Sequence, residues 1–204
     1  MNIQITGASG SGKTYLGNKL AKKLKFNFVD VYDIIWEWGE NIPPYTVSVP
    51  KEYALKKLEK ILLDNNGTIA SGIYYPWAES LINYFDLLVV VETEDKARKK
   101  RLIKREYQMY GDRVKKGGDM VDQFNRFLNW AMSYEYFDSA SGSRIETNKW
   151  IQKFDNKVLY LNGKWPLRKK IRIIQKEIEN INNSKTIKSI YKDNLPNKAN
   201  RYSK

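Results

Sequence analysis

Two residue types are missing from this chain of 204 residues, cysteine and histidine. Without cysteine there is no disulfide, no thiolate metal site and no thiolate nucleophile. Without histidine, any general base must be a carboxylate, a lysine or the substrate itself. Long apolar runs are missing too: none approaches the roughly 20 residues that a membrane-spanning helix needs. No apolar stretch follows a basic N-terminus, as a secretory leader would require. Together these absences lead us to expect a cytoplasmic enzyme with no membrane partner. Negative charge is also scarce, with 23 acidic residues against 36 basic ones and a net charge of +13. Such a surface attracts polyanions. The excess is mostly lysine, 27 against 9 arginines, and it is spread over nearly every expected helix. Nucleic acid is therefore a less favoured partner than a small molecule.

What is present is most informative at residues 7–14, Gly-Ala-Ser-Gly-Ser-Gly-Lys-Thr. Residues 3–6 before them read as a short strand. Residues 15–24 after them read as a helix, because Leu16, Leu20 and Leu24 fall four apart along one stripe. Strand, glycine-rich loop, Lys-Thr and helix are the full context of a phosphate-binding loop. Glycine at 7, 10 and 12 lets the backbone curl, so that the N–H groups from Gly7 through Ala8, Ser9, Gly10 and Ser11 to Gly12 face inward. The positive end of the following helix adds to the same cavity. Lys13 is expected on the outer phosphates and the Thr14 hydroxyl on Mg²⁺.

Strand and helix patterns then alternate, which predicts an α/β fold with a parallel sheet covered on both faces. Strands are expected at 25–30, 68–71, 86–91 and 157–161, and helices at 51–64, 77–84, 95–108, 119–136 and from Pro166 onward. Residues 31–50, with Pro43, Pro44 and Pro50, read as irregular. The apolar stripe of 119–136 reads as core packing. The isoleucines of the last helix read as packing on the sheet. From Ser184 the chain is polar and carries a net +5, so 1–183 is expected to be one domain and 184–204 a mobile tail.

Two groups of side chains could do chemistry with the loop. Asp30 ends the second strand and Asp33 follows it. A carboxylate there can hold Mg²⁺ through water or take a proton from a substrate hydroxyl. The competing reading of Asp33 is a helix N-cap. The second group is arginine: Arg98, Arg101 and Arg105 are spaced three and four apart, and Arg113 lies in the glycine-bearing segment behind them. A hinged, arginine-bearing lid over about 107–119 would place positive charge over a migrating phosphoryl group and exclude water. A solvated basic helix is the competing reading.

With these residues together the chain resembles the adenylate-kinase-like P-loop small kinases, proteins labelled topology-modulation proteins, shikimate-kinase-like proteins or AAA-family ATPases. The resemblance covers about residues 1–181. It rests on the loop at 7–14, Asp30-x-x-Asp33-x-x-Trp36, Ser71-Gly72 with Trp77, Phe85-Asp86-Leu87, Arg98, Arg101 and Arg105-Glu106. Its most specific piece is Gly117-Gly118-Asp119-Met120 leading to Phe127-Leu128-x-Trp130-Ala131. It implies a P-loop NTPase three-layer sandwich with a five-stranded parallel sheet in the order 2-3-1-4-5. It also implies ATP at the phosphate loop and an acceptor over strands two and three. Relatives commonly carry an acid where this chain has Tyr32, so part of the acceptor site is expected to differ.

The expected activity is an ATP- and Mg²⁺-dependent phosphotransferase. Lys13, Asp30, Asp33, Arg101, Arg105 and Arg113 would be catalytic, and Thr14 and Asp30 would hold the metal. The acceptor, a small hydroxylated or phosphorylated molecule such as a nucleoside or nucleotide, would lie among Asp33, Trp36, Gly72 and Trp77. The alternatives are a polynucleotide or RNA end kinase and a non-catalytic nucleotide-binding regulator acting on DNA.

Overall fold

A computed structural model describes residues 1–39, 46–64, 66–136 and 142–193, with 185–193 by backbone alone. Pro43, Pro44, Asn65 and the last part of the expected tail lie outside these residues.

The most apolar run of the chain, Leu87–Glu92, is strand β4, and all but its last residue are buried. A strand buried on both faces belongs inside a parallel sheet. It pairs in parallel with β1 (Asn2–Thr6) on one side and β5 (Lys157–Asn162) on the other. β1 pairs with β3 (Thr68–Ser71), and β3 with β2 (Asn27–Asp30), all parallel. The order is β2-β3-β1-β4-β5, as the resemblance implies.

The helices between the strands divide over the two faces. On one side, helix α1 (Lys13–Leu24) lies directly on the sheet. A side chain at Gly17 would meet Phe28 at 2.9 Å, Ile69 at 3.4 Å and Ile5 at 3.6 Å, so the missing Cβ sets the approach. On the other side, Val29, Ala70, Leu88 and Val90 of the sheet share a core with helices α2 (Tyr32–Ile35) and α3 (Lys51–Leu62), which contribute Ile34, Ala54, Leu58 and Leu62. A 3₁₀ turn (Glu79–Tyr84) contributes Leu81 to that core. Trp150 of helix α6 (Arg144–Gln152) completes it and donates its indole N–H to Gln4 Oε1 of β1 at 2.7 Å.

Helix α4 (Asp95–Tyr110) runs on into a 3₁₀ turn (Gly111–Val114), and helix α5 (Val121–Met132) into another (Ser133–Glu135). The segment between α4 and α5 has a small core of its own: Val114, Met120 and Phe124 pack with Ile103, Tyr110 and Leu128. Its turn is tight, since a side chain at Gly118 would come within 2.2 Å of the Arg113 carbonyl oxygen.

Residues from Pro166 form a separate unit. Its helix α7 (Leu167–Asp193) continues past Ser184, where the sequence places the start of the tail. Among the described residues no helix is long and apolar enough to cross a membrane.

The helices α2 and α6 are additions to the sequence-based reading. The start signal of α6 is present in the sequence as Ser143-x-x-Glu146. The Ser143 hydroxyl accepts from the Glu146 N–H at 3.2 Å, and the Glu146 carboxylate accepts from the Gly142 N–H.

Candidate active site

β1 runs straight into the loop, and the loop is shaped by what presses on it. Gly7 has φ of +143°, and a Cβ there would fall 2.4 Å from the Val91 carbonyl oxygen, so the first turn is open only to glycine. The N–H of Ser11 returns to the Ala8 carbonyl at 3.1 Å, closing the curl. Gly12, with φ of +96°, caps α1.

Lys13 opens the helix but turns inward. It is 5 % exposed, and its Nζ donates to the Ala8 carbonyl at 3.4 Å and stands 5.8 Å from the centre of the Tyr32 ring. Burial lowers its pKa to about 8. The charge of Asp30 works against that shift, and those of Arg105 and Arg98 add to it. Loop lysine, strand-end carboxylate and two α4 guanidiniums thus share one electrostatic neighbourhood. Thr14 is exposed at the mouth, and its Oγ1 accepts from the Ser71 hydroxyl at 3.4 Å, which joins the end of β3 to the loop.

Asp30 ends β2, half-buried, and its Oδ1 accepts from the Tyr32 N–H at 3.1 Å. Asp33 is not the N-cap of α2: that position is Val31, and Asp33 sits in the first turn with its carboxylate exposed. Partial burial, then the nearby Asp30 charge, raise the pKa of Asp33. Trp36 is half-buried and pairs across to Ser48 in a single antiparallel bridge.

Gly72 and Trp77 stand further back. A Cβ at Gly72 would fall 1.9 Å from Val31 Cγ1, so this glycine lets the end of β3 meet the start of α2. Trp77 donates its indole N–H to the Ile73 carbonyl at 3.1 Å and stacks on Tyr74 at 5.8 Å, against the core.

The arginines of α4 separate. Arg101 grips the back of the loop: Nη1 donates to the carbonyls of Gly10 (3.3 Å) and Ser11 (3.0 Å), and Nη2 to that of Gly163 (3.1 Å). Gly163 follows β5, and its N–H donates to the Glu92 carbonyl at 2.6 Å. A Cβ there would lie 1.8 Å from Thr93 Oγ1 and 2.9 Å from the Ser11 carbonyl oxygen. Arg105 pairs with Glu106 at 2.6 Å and lies over the Phe127 ring at 5.3 Å. Arg113 is turned to Asp119 of its own turn at 2.7 Å, exposed. Arg98 lies on no open face; it is fully buried. The structure therefore gathers the loop, Lys13, Asp30, Asp33, Arg101 and Arg105, and leaves Arg113 in its own turn. Ser71 and Gly163 are the contributors that sequence reasoning missed as site residues. No group of three or more acidic side chains able to hold a metal alone occurs among the described residues.

The model of the AAA domain family matches residues 3–123, from β1 into the first turn of α5. This chain belongs to that family. Within it the phosphate loop, the carboxylates after β2 and the arginines of α4 all fall inside the matched span. The uncharacterized protein YqaC of Bacillus subtilis (strain 168) is 34% identical over 158 residues, covering 78% of this chain and 86% of its own length. The adenylate kinase isoenzyme 6 homolog of Dictyostelium discoideum is 27% identical over 115 residues, 53% of this chain and 63% of that protein. Among solved structures, shikimate kinase from Bacteroides thetaiotaomicron superposes with a TM-score of 0.52 at 16% identity, over 88% of this chain and 98% of its own. The YorR protein of Bacillus subtilis, in complex with phosphorylated GDP, superposes at 0.51 with 13% identity, over 88% and 96%. These likenesses agree with the sheet order in showing a P-loop small-kinase fold.

Proposed function

We propose that this chain is an ATP-dependent phosphotransferase acting on a small hydroxylated or phosphorylated acceptor. The observation that carries this reading is Lys13. It is buried in the loop, and burial lowers its pKa to about 8, with the charge of Asp30 opposing the shift and those of Arg105 and Arg98 adding to it. An ammonium whose charge is made costly by burial in a glycine-rich loop is a receptor for an anion. The carboxylate pair beside it suits the opposite partner, a cation or a hydroxyl proton. The relationship to a named adenylate kinase homolog supports the same reading.

In this reading the inward N–H groups of the loop and Lys13 hold the triphosphate, and Thr14 with Asp30 would hold Mg²⁺, which would neutralise charge on the transferring group. Asp30 would take the acceptor's hydroxyl proton, and Asp33 and Trp36 would border the acceptor. Arg105 would stabilise the charge that builds on the moving phosphoryl group. Arg113 would join only if the turn that carries it swings over the loop.

A polynucleotide end kinase is the second reading. Lys96, Lys99, Lys100 and Lys104 are exposed on α4, the helix that backs the loop. A screen of ADP release over nucleosides, nucleotides, sugars, hydroxy acids and 5′-hydroxyl oligonucleotides tests both. Turnover with a small acceptor supports the first reading. Turnover confined to oligonucleotides selects the second, and no ADP release with any acceptor overturns the kinase reading.

A further inference from the structure

Arg98 is fully buried at the junction of three segments. Its Nη1 donates to the Ser9 carbonyl of the phosphate loop at 3.0 Å and to the Ala131 carbonyl of α5 at 3.1 Å. Its Nη2 donates to Asp95 Oδ1 at 2.6 Å, and its guanidinium carbon lies 5.4 Å from the centre of the Tyr134 ring. The backbone of the same residue backs the loop one step further on, since a Cβ at Gly10 would come within 2.9 Å of the Arg98 carbonyl oxygen. A buried guanidinium is costly, and a residue needed only for packing would be apolar. Here the charge is used on a loop carbonyl. In a trans peptide the C=O of one residue and the N–H of the next point to opposite sides. Holding the Ser9 oxygen against α4 therefore turns the Gly10 N–H away from α4. Arg101 does the same to the next two peptides through the carbonyls of Gly10 and Ser11.

We propose that Arg98 is a positioning residue that sets the Ser9–Gly10 peptide and ties it to the end of α5, so that the phosphate-binding N–H array is formed before nucleotide arrives. The proposal rests on the reading of the loop as the triphosphate site. It assigns Arg98 no contact with ligand; the residue acts through a peptide it holds from behind. It also joins the loop to the helix that leaves the 111–120 segment, so a movement of that segment is transmitted to the loop through one side chain.

The test compares binding of tripolyphosphate, which probes the loop alone, with that of a non-hydrolysable ATP analogue, both with Mg²⁺. Calorimetry on the wild type, Arg98→Met and Arg98→Lys is read beside melting temperatures. Arg98→Met is expected to weaken both ligands by the same factor, about tenfold, the size of one lost charged hydrogen bond. Arg98→Lys, which keeps the charge and one donor, is expected to recover part of that loss, and added methylguanidine to restore binding to Arg98→Ala. A folded Arg98→Met that melts lower but binds both ligands like the wild type would make the arginine merely structural and overturn the proposal. A loss confined to the ATP analogue would also overturn it, by placing Arg98 in nucleoside recognition. Should Arg98→Met not fold, Asp95→Ala removes the acceptor of Nη2 and releases the guanidinium without emptying the core. It is expected to weaken tripolyphosphate about threefold, and unchanged affinity there would overturn the proposal. A wild type that binds neither ligand would remove the nucleotide reading itself, which is distinct from wild-type binding that the variants share.

Discussion

The Ser71 hydroxyl, at the end of β3, donates to Thr14 Oγ1 across 3.4 Å. A Thr14 oxygen that ligates a cation must direct its own proton elsewhere, so on metal binding this hydrogen bond would reverse, with the Thr14 hydroxyl donating to Ser71 Oγ. Ser71→Ala is expected to raise the Mg²⁺ concentration for half-maximal ATP turnover about fivefold, the value of one hydrogen bond. Metal-free ADP binding should stay unchanged. A magnesium titration of turnover checks the first, and calorimetry with a chelator present checks the second.

Lys13 gives a stability prediction of unusual sign. Its folded pKa of about 8 lies below its unfolded value of 10.5. Below pH 8 the ammonium is charged in both states, and the folded state carries the full cost of burying it, roughly 3 kcal/mol at 1.36 kcal/mol per pKa unit. Between pH 8 and 10.5 the unfolded chain binds more protons, so the contribution of Lys13 to stability improves as pH rises. Lys13→Met is therefore expected to stabilise the empty protein at pH 7 while abolishing ATP binding. Its advantage over the wild type should shrink towards pH 10. Denaturant unfolding at the two pH values, with and without nucleotide, measures both effects.

Asp30→Asn keeps an oxygen for the Tyr32 N–H, so the turn after β2 should survive. What is lost is the charge. Turnover is expected to fall by roughly 10²–10⁴, as for loss of a general base, with ATP affinity changed only a few-fold. Steady-state kinetics with the acceptor found by screening decides this. A mutant with wild-type turnover would dismiss Asp30 from the chemistry.

The Arg113–Asp119 and Lys115–Asp112 pairs are exposed, and exposed pairs hold a segment weakly. Amide exchange over 107–119 is expected to slow when an ATP analogue binds, as Arg113 leaves Asp119 for phosphate. Gly118→Ala should abolish that protection, because its Cβ collides with the Arg113 carbonyl. Equal exchange with and without ligand would speak against a lid.

Periodicity and composition made most of the scaffold legible. Leu87 to Val91 is so apolar that only a buried strand suits it, and the glycines of residues 7–14 announce a loop that side chains would block. Helix α6 was harder to read, because Trp150 is its one large buried residue and its start is marked by a single serine-glutamate pair. The arginines show where pattern reading stops. A spacing of three and four places Arg98 with Arg101 and Arg105 on one side of α4, but it says nothing about what lies over each. The loop and α5 cover Arg98, while Arg101 and Arg105 remain exposed beyond it. Trp77 and Gly72 are similar cases: an aromatic ring and a missing side chain serve core packing as well as ligand contact, and only coordinates reveal the Ile73 carbonyl and Val31 beside them.

Gly163 sits more than 150 positions after the loop it touches, yet the Ser11 carbonyl, Thr93 and the Glu92 carbonyl all close around it, and Arg101 bonds to its oxygen. The back wall of the nucleotide cavity is thus finished by a segment made well after the loop itself. A nascent chain on the ribosome holds the whole glycine-rich motif long before Gly163 is made, and cannot complete the cavity until β5 and the glycine after it have left the exit tunnel. Competence to bind nucleotide is expected to arrive late in synthesis and in a single step, and every unfinished product released before that point would be blind to its ligand.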